Sequence, residues 1–285
     1  MTYTTLIQPA ELAAELAAGR ATVFDCGFDL ARPAAGREAF RTGHVPGARH
    51  LHLDEDLSGA KTGRNGRHPL PAREAFAERL AALGVDAGRQ VVVYDAAGGM
   101  YAARLWWMLR WLGHGAAAVL DGGLAAWTAA GQPLEAGDAV PPARRGTLKA
   151  GASAAPLLDR DALLANLQQP ARLVVDARSA DRFRGENETL DAVGGHIPGA
   201  VNRFFRDNLG ADGRFKPAAQ LRAEFQAVVG ARNPAELVHS CGSGVTACHN
   251  LLALEVAGLG GGALYAGSWS EWSSWPDAPV ATGPI

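Results

Sequence analysis

The sequence predicts an α/β protein of two tandem domains, each a parallel sheet with helices on both faces. The chain of 285 residues is long enough for two domains of ordinary size. Its two halves repeat the same motifs in the same order, and a repeat is a strong guide to domain organisation. Within each half, nearly all-apolar β-type runs alternate with amphipathic helical segments, which is typical of a parallel sheet covered by helices.

The repeat opens with an apolar strand that ends in aspartate. "ATVFDCGF" around Asp25 corresponds to "ARLVVDAR" around Asp176. Further along each half, "RTGHVPGARH" (41–50) corresponds to "VGGHIPGAVN" (193–202). This order of strand, aspartate and glycine-rich turn is the same in both halves, so we predict two copies of one fold.

The second part of the repeat is a helix followed by a buried strand. Helical spacing of apolar residues and an early proline predict helices within 70–85 and 215–230. The strands "QVVVYD" and "ELVHSC" follow, and after another helix "VLDGGLAAW" corresponds to "ALYAGSWSEW". Residues 135–156, rich in Pro, Gly and Ala, are typical of a linker. We therefore predict an N-terminal domain at 1–134 and a C-terminal domain at 157–285.

Composition and charge exclude several classes of function. The 27 Lys and Arg nearly balance the 29 Asp and Glu, so no bulk field recruits nucleic acid or an anionic membrane, and we expect a small-molecule or protein partner. Three cysteines cannot form a disulfide framework, and none has zinc-site spacing. The N-terminal segment lacks the pattern of a signal peptide, and no apolar run is long enough to span a bilayer. We expect a cytoplasmic protein.

The stretch "CGSGVT" (241–246) places Cys241 directly after a strand and before a helix. In parallel sheets, ligands bind beyond the carboxyl ends of the strands. The backbone N–H groups of Gly242, Ser243, Gly244, Val245 and Thr246 can converge there, and the positive end of the next helix adds to their effect. Such a cradle binds anions and favours thiolate, so the loop predicts a nucleophilic sulfur. The alternative is a buried structural cysteine, which is the interpretation we give to Cys26 and Cys248.

The first half carries Asp95 where the second carries Cys241. An aspartate cannot act as a sulfur nucleophile, so only the second copy is expected to react. A thiol phosphatase also uses a cysteine between strand and helix, but it requires an arginine six residues later to hold phosphate. That position is Ala247, which argues against phosphatase chemistry.

These motifs together resemble the tandem-domain rhodanese sulfurtransferases, which comprise thiosulfate and 3-mercaptopyruvate sulfurtransferases. The resemblance covers nearly the whole chain and rests on "GHVPGA", "GHIPGA", "VLDGGLAAW", "RFRG", "CGSGVTA" and "GSWSEW". It implies a silent N-terminal domain, a persulfide on Cys241, and transfer of sulfur to cyanide or a thiol, with thioredoxin as one candidate acceptor. It implies no metal and no organic cofactor. A non-catalytic sulfur-carrier or scaffold module is the alternative, since rhodanese domains also serve in that way.

The resemblance also bears on the sulfur donor. Thiosulfate enzymes of the family carry basic residues just after the cysteine, whereas mercaptopyruvate enzymes carry "CGSGVT" or a close variant. Gly242 and Ser243 fit the second type, so 3-mercaptopyruvate is the preferred donor and thiosulfate the alternative. In that type the loop serine acts with a histidine and an aspartate, which the resemblance places at His68 and Asp54.

An arginine is the natural clamp for a donor carboxylate. By resemblance the substrate arginine is Arg182, and Arg184 would face the same side if its segment were extended. Arg178 is expected to pair with Asp176 instead. Mercaptopyruvate enzymes often carry a second substrate arginine shortly before "GHIPG", but residues 186–193 contain none. Arg184 is the candidate to compensate for it.

Overall fold

The computed structural model describes residues 2–284. Its contacts divide the chain into two compact units. The first comprises Met1–Gly59, Pro71–Ala154 and Ala211–Phe215, and the second comprises Ala60–Leu70, Ala155–Gly210 and Lys216–Ile285. No helix in the described part of the chain is long and apolar enough to cross a membrane.

The first unit contains a five-stranded parallel sheet with the strand order β1-β5-β4-β2-β3. Its strands are β1 (Leu6–Ile7), β2 (Ala21–Asp25), β3 (Arg49–His50), β4 (Gln90–Tyr94) and β5 (Ala117–Leu120). Its helices are α1 (Pro9–Ala17), α2 (Ala35–Thr42), α3 (Arg73–Ala82), α4 (Ala102–Trp111) and α5 (Gly123–Ala129).

The second unit repeats this sheet with the order β6-β10-β9-β7-β8. Its strands are β6 (Leu157–Leu158), β7 (Leu173–Asp176), β8 (Val201–Asn202), β9 (Leu237–Ser240) and β10 (Ala263–Tyr265). Its helices are α6 (Arg160–Gln168), α7 (Ala180–Arg184), α8 (Ala218–Val229), α9 (Thr246–Val256) and α10 (Ser268–Trp272), with 3-10 turns at Phe205–Asn208 and Pro234–Glu236. Each strand order equals the other shifted by five, so the predicted pair of parallel α/β folds is confirmed.

Burial explains why these segments form these elements. Every residue of β2, β4 and β9 is buried, as expected for central strands of a sheet covered on both faces. Helix α8 buries Leu221, Phe225 and Val229, which recur every four residues along one face. Continuous burial thus marks the central strands, whereas burial at helical spacing marks a covering helix.

The segment 60–70 belongs to the second unit although it precedes α3 of the first. Two hydrogen bonds join this segment to the end of the second unit. The Arg67 backbone N–H donates to Ser270 Oγ at 2.9 Å, and Trp275 Nε1 donates to the Arg64 carbonyl at 3.2 Å. The repeat does not predict this placement, because nothing in the first half of the sequence marks the segment as part of the second sheet's surroundings. The linear bounds 1–134, 135–156 and 157–285 stay a prediction.

Candidate active site

Cys241 follows β9 at the carboxyl edge of the second sheet and is 2% exposed. Its backbone is clamped by the start of α10. The Cys241 N–H donates to Ser268 Oγ at 3.0 Å, and the Cys241 carbonyl accepts from the Trp269 N–H at 2.9 Å. One residue on, the Gly242 carbonyl accepts from the Ser270 N–H at 2.9 Å. The sulfur is thus held on a backbone fixed from both sides.

Gly244 allows the loop to turn into α9. Its φ is +73°, and a Cβ at this position would collide with the Ala266 carbonyl oxygen, so only glycine fits without displacing the backbone. Helix α9 begins two residues later at Thr246, which places its positive end next to the loop. The Cys248 thiol donates to the Gly244 carbonyl at 3.3 Å, and Cys248 and Cys26 are buried and not part of a disulfide. Cys248 therefore packs under the loop as a structural residue.

A hydrogen bond of 2.7 Å joins Ser243 Oγ and His68 Nδ1. Both side chains are buried, and His68 lies in the segment 60–70 that belongs to the same unit as the loop. The structure therefore brings together two of the three residues that the resemblance groups. The third, Asp54, lies half-buried in a turn of the first unit.

Two guanidinium groups flank the loop at Gly242. A Cβ built on Gly242 would lie 3.1 Å from Arg67 Nη2 and 3.7 Å from Arg182 Nη1 and Nη2. Arg182 is a residue that the sequence predicts here. Arg67 is one that it does not, because the only signal is its position next to His68, more than a hundred residues before the loop.

Buried carboxylates hold the arginines of this site in place. Arg182 pairs with Glu188 at 2.8 Å and lies 3.6 Å from Asp191 Oδ2. Burial is the largest influence and would raise the pKa of Glu188, but Arg182 together with the backbone N–H groups of Leu190 and Asp191 outweighs it, so the pKa is lowered. Arg178 donates to both carboxylate oxygens of Asp176, which confirms that predicted pair.

Arg178 is a buried, permanently charged residue. Its side chain is 1% exposed and its guanidinium lies 4.8 Å from the centre of the Trp269 ring. Burial is the largest influence and would lower the pKa of Arg178, but Asp176 and Glu188 help to outweigh it, so the pKa is raised. The proximity of Cys241 contributes in the same direction. A fixed guanidinium therefore lies near the thiol loop, paired with the carboxylates of Asp176 and Glu188.

Arg184 is not placed as the extended interpretation of its segment requires. The segment is the helix α7, so Arg184 is turned by roughly 200° from Arg182 around the helix axis. Arg184 forms an ion pair with Glu186 at 2.6 Å and lines a separate cavity with Phe183 and Val228. The premise that both arginines face one side is therefore wrong, because two residues point to one side in a strand but not in a helix.

The arrangement has the features of a thiolate-based transfer site. A buried sulfur lies at a strand-to-helix loop, two partly exposed guanidinium groups flank the loop, and a hydroxyl–imidazole pair lies one residue beyond Gly242. Such a site can bind an anionic donor, stabilise a sulfur anion on N–H groups, and move a proton.

Comparison with known proteins agrees with this geometry. The rhodanese-like domain model matches residues 8–130 and 159–274. The chain is 47% identical to a "probable 3-mercaptopyruvate sulfurtransferase" of Pseudomonas aeruginosa, over 99% of this chain and all of that protein. It is 35% identical to bovine thiosulfate sulfurtransferase, over 95% of this chain and 92% of that one.

A solved structure gives the same result. The 3-mercaptopyruvate sulfurtransferase of Leishmania major superposes with a TM-score of 0.86 at 33% identity, covering 97% of this chain and 76% of that one. Two domain matches and full-length relatives of this kind leave one assignment. The chain belongs to the rhodanese-like family of sulfurtransferases.

Proposed function

We propose that this sulfurtransferase takes sulfur from 3-mercaptopyruvate, holds it as a persulfide on Cys241 and passes it to a thiophilic acceptor. The observation that carries the choice of donor is the Ser243–His68 hydrogen bond of 2.7 Å in the loop that follows Cys241. Release of pyruvate requires a proton at carbon, whereas release of sulfite does not, so a proton-moving pair beside the sulfur favours a carbon-bound donor. The name of the Pseudomonas aeruginosa relative supports the same choice.

In the first step, the Cys241 thiolate forms an S–S bond to the donor sulfur. The C–S bond breaks, and its electron pair stays on the methylene carbon as the enolate of pyruvate. The proton of the donor thiol reaches that carbon, so thiolate and 3-mercaptopyruvate become persulfide anion and pyruvate. Ser243 and His68 are positioned to relay this proton. Asp54 is proposed as the third member of this set on the ground of the resemblance alone.

The persulfide anion needs a site that stabilises negative charge. We assign that task to the backbone N–H groups of residues 242–246 and to the positive end of α9, which begins at Thr246. The charge of Arg178, buried and fixed by Asp176, adds to the field. In this scheme the chain's own residues supply the chemistry, without a metal or organic cofactor.

In the second step, the acceptor attacks the outer sulfur and Cys241 leaves as thiolate. Cyanide becomes thiocyanate in this way, and a thiol becomes a new persulfide. Small thiols and thioredoxin are the acceptors that we propose, in the cytoplasm, where thiols stay reduced. Nucleic acid and membranes have no part in this scheme.

Thiosulfate is the second candidate donor. Its sulfane S–S bond would break with the electron pair leaving on sulfite, and the guanidinium groups of Arg67 and Arg182 beside Gly242 suit a dianion. The bovine relative, at 35% identity, is named for that donor.

Steady-state kinetics with the two donors test the proposal. We expect kcat/KM to be at least about 10-fold higher for 3-mercaptopyruvate than for thiosulfate, because only the former uses the proton relay. Arg182→Met should raise KM for both anionic donors, and Arg184→Met, the matched control in the same helix, should change it by less than about 2-fold. A higher kcat/KM for thiosulfate would transfer the assignment to that donor, and no turnover of either would leave the carrier or scaffold role.

A further inference from the structure

We propose that Arg67 is a second donor-binding residue, whose guanidinium binds the carboxylate of the donor together with Arg182. The inference rests on the proposed function, since it names how the same site recognises its substrate. It provides, from a segment remote in sequence, the second arginine that residues 186–193 lack.

The backbone at Gly66 and Arg67 is fixed against the start of α10. Gly66 has a φ of +83°, and a Cβ there would lie 2.8 Å from the Gly267 carbonyl oxygen, so close approach of the two segments requires glycine. The Arg67 N–H donates to Ser270 Oγ, and the Ser270 N–H donates to the Gly242 carbonyl, both at 2.9 Å. Ser270 thus joins Arg67 to the loop through two hydrogen bonds.

The side chain of Arg67 reaches over the loop residue next to the nucleophile. Nη2 lies 3.1 Å from the position that a Cβ of Gly242 would take. Nη1 donates to Asp191 Oδ1 at 2.7 Å, and Nε is buried without a hydrogen-bond partner among the described residues. A guanidinium held by one carboxylate through one nitrogen has donors left for a second anion.

Exposure distinguishes the arginines that can meet a donor from the one that cannot. The side chain of Arg67 is 22% exposed and that of Arg182 is 19%, whereas Arg178 is 1% exposed and doubly bonded to Asp176. Asp191 lies between the first two, 2.7 Å from Arg67 and 3.6 Å from Arg182. Because Arg182 also pairs with Glu188 at 2.8 Å, the two guanidinium groups carry no surplus charge, and what they offer a donor is the N–H groups on their exposed parts.

The lack of a side chain at Gly242 matters for this arrangement. A side chain at that position would meet Arg67 at 3.1 Å and Arg182 at 3.7 Å, so its absence leaves room for two guanidinium groups beside the loop. A donor whose carboxylate accepts from both guanidinium groups on the side away from Asp191 would present its sulfur to the preceding residue, Cys241. Both guanidinium groups, those of Arg67 and Arg182, belong to residues outside the loop.

The test combines a protein change with a substrate change. Arg67→Met and Arg67→Lys are assayed for persulfide loading with 3-mercaptopyruvate and with mercaptoacetone, in which a methyl group replaces the carboxylate. Arg64→Met is the matched control, because Arg64 lies in the same segment and stacks on Trp275, 5.0 Å from its ring centre. The ratio of kcat/KM for the two donors is independent of the folded fraction of each variant.

We expect Arg67→Met to lower kcat/KM for 3-mercaptopyruvate by about 10- to 100-fold, mainly through KM, and to change that for mercaptoacetone by less than about 3-fold. Arg67→Lys keeps the charge but loses the planar fork, so its effect should be intermediate. Equal losses with both donors, or no loss with either, would overturn the assignment of Arg67. Failure of the wild-type protein to use 3-mercaptopyruvate would instead overturn the proposed function.

Discussion

Two strand-to-helix loops occupy equivalent positions of the repeat, but one holds a carboxylate and the other a thiol. In the first unit, the Asp95 carboxylate is 1% exposed and accepts the backbone N–H groups of Ala97, Gly99, Tyr101 and Ala102 at 2.7 to 2.9 Å. In the second unit, Cys241 occupies that position with a single sulfur atom. The first loop is thus an anion cradle filled by the chain's own side chain, which is the precedent for the cradle that we propose around Cys241.

The strands next to these loops in each sheet, β2 and β7, show a second difference. In the first unit, Asp25 accepts the Gly27 N–H at 2.6 Å, and burial raises the pKa of Asp25 to about 6. In the second unit the equivalent pair is Asp176 and Arg178, joined by an ion pair of 2.6 Å. An arginine two residues after the aspartate converts a costly buried carboxylate into an anchor for a fixed positive charge.

The largest effect should come from exchanging the loop residues themselves. Cys241→Ser should lower turnover by about 10³-fold or more, because oxygen cannot carry the transferred sulfur. Adding Asp95→Cys to that variant should not restore activity, since the first unit has Gly27 in place of Arg178. Thiocyanate formation from cyanide measures both.

Activity in the variant with the moved cysteine would show that the cradle alone suffices. It would contradict our view that activity requires the arginines of the second unit.

Removal of the hydroxyl–imidazole pair should have the next largest effect. Ser243→Ala and His68→Gln should each lower kcat with 3-mercaptopyruvate by about 10²-fold, and the double variant should be little worse than either. Ser274→Ala is the control, because its hydroxyl only donates to the Glu271 carbonyl. Strictly multiplicative losses would show that the two residues do not act as one relay.

The silent loop should matter more for stability than the active one. Asp95→Asn removes the charge that holds four N–H groups and should lower the free energy of unfolding by about 2 kcal/mol. Cys241→Ser, at the equivalent position, should lower it by less than about 1 kcal/mol. Urea unfolding of both variants compares the two loops directly, and equal losses would contradict the view of Asp95 as a built-in ligand.

The smallest effect concerns the pH dependence of stability. Since the folded pKa of Asp25 is raised from 3.8 to about 6, the stability that Asp25 contributes is full below pH 3.8 and is lost as pH rises to about 6. In Asp25→Asn, urea unfolding should be less dependent on pH across this range. The control Asp29→Asn, on the following loop, should keep the wild-type slope.

The sequence predicted those features that depend on local pattern. Apolar runs and helical spacing predicted both sheets, and the repeat placed Cys241 at a strand end opposite Asp95. The Asp176–Arg178 pair was predictable because the two residues are close in sequence. The grouping of His68 with the loop serine was predicted from the family resemblance and not from a sequence pattern.

What the sequence could not predict depends on contacts that cross the chain. Arg67 belongs to the second unit through Gly66, Ser270 and the loop, and no periodicity marks a segment that leaves one unit for another. The error over Arg184 arose because "DRFRG" is too short for its helical period to be recognised. Short elements are defined by their packing, not by their own pattern.

The most direct test of the account is to map the sulfur after one turnover. Wild-type protein is loaded with 3-mercaptopyruvate without acceptor, and its peptides are weighed. The account predicts one added sulfur atom on the peptide that contains Cys241 and none at Cys26, which follows β2, or at Cys248, which lies within α9. No added sulfur at Cys241, or sulfur at another cysteine, would contradict it.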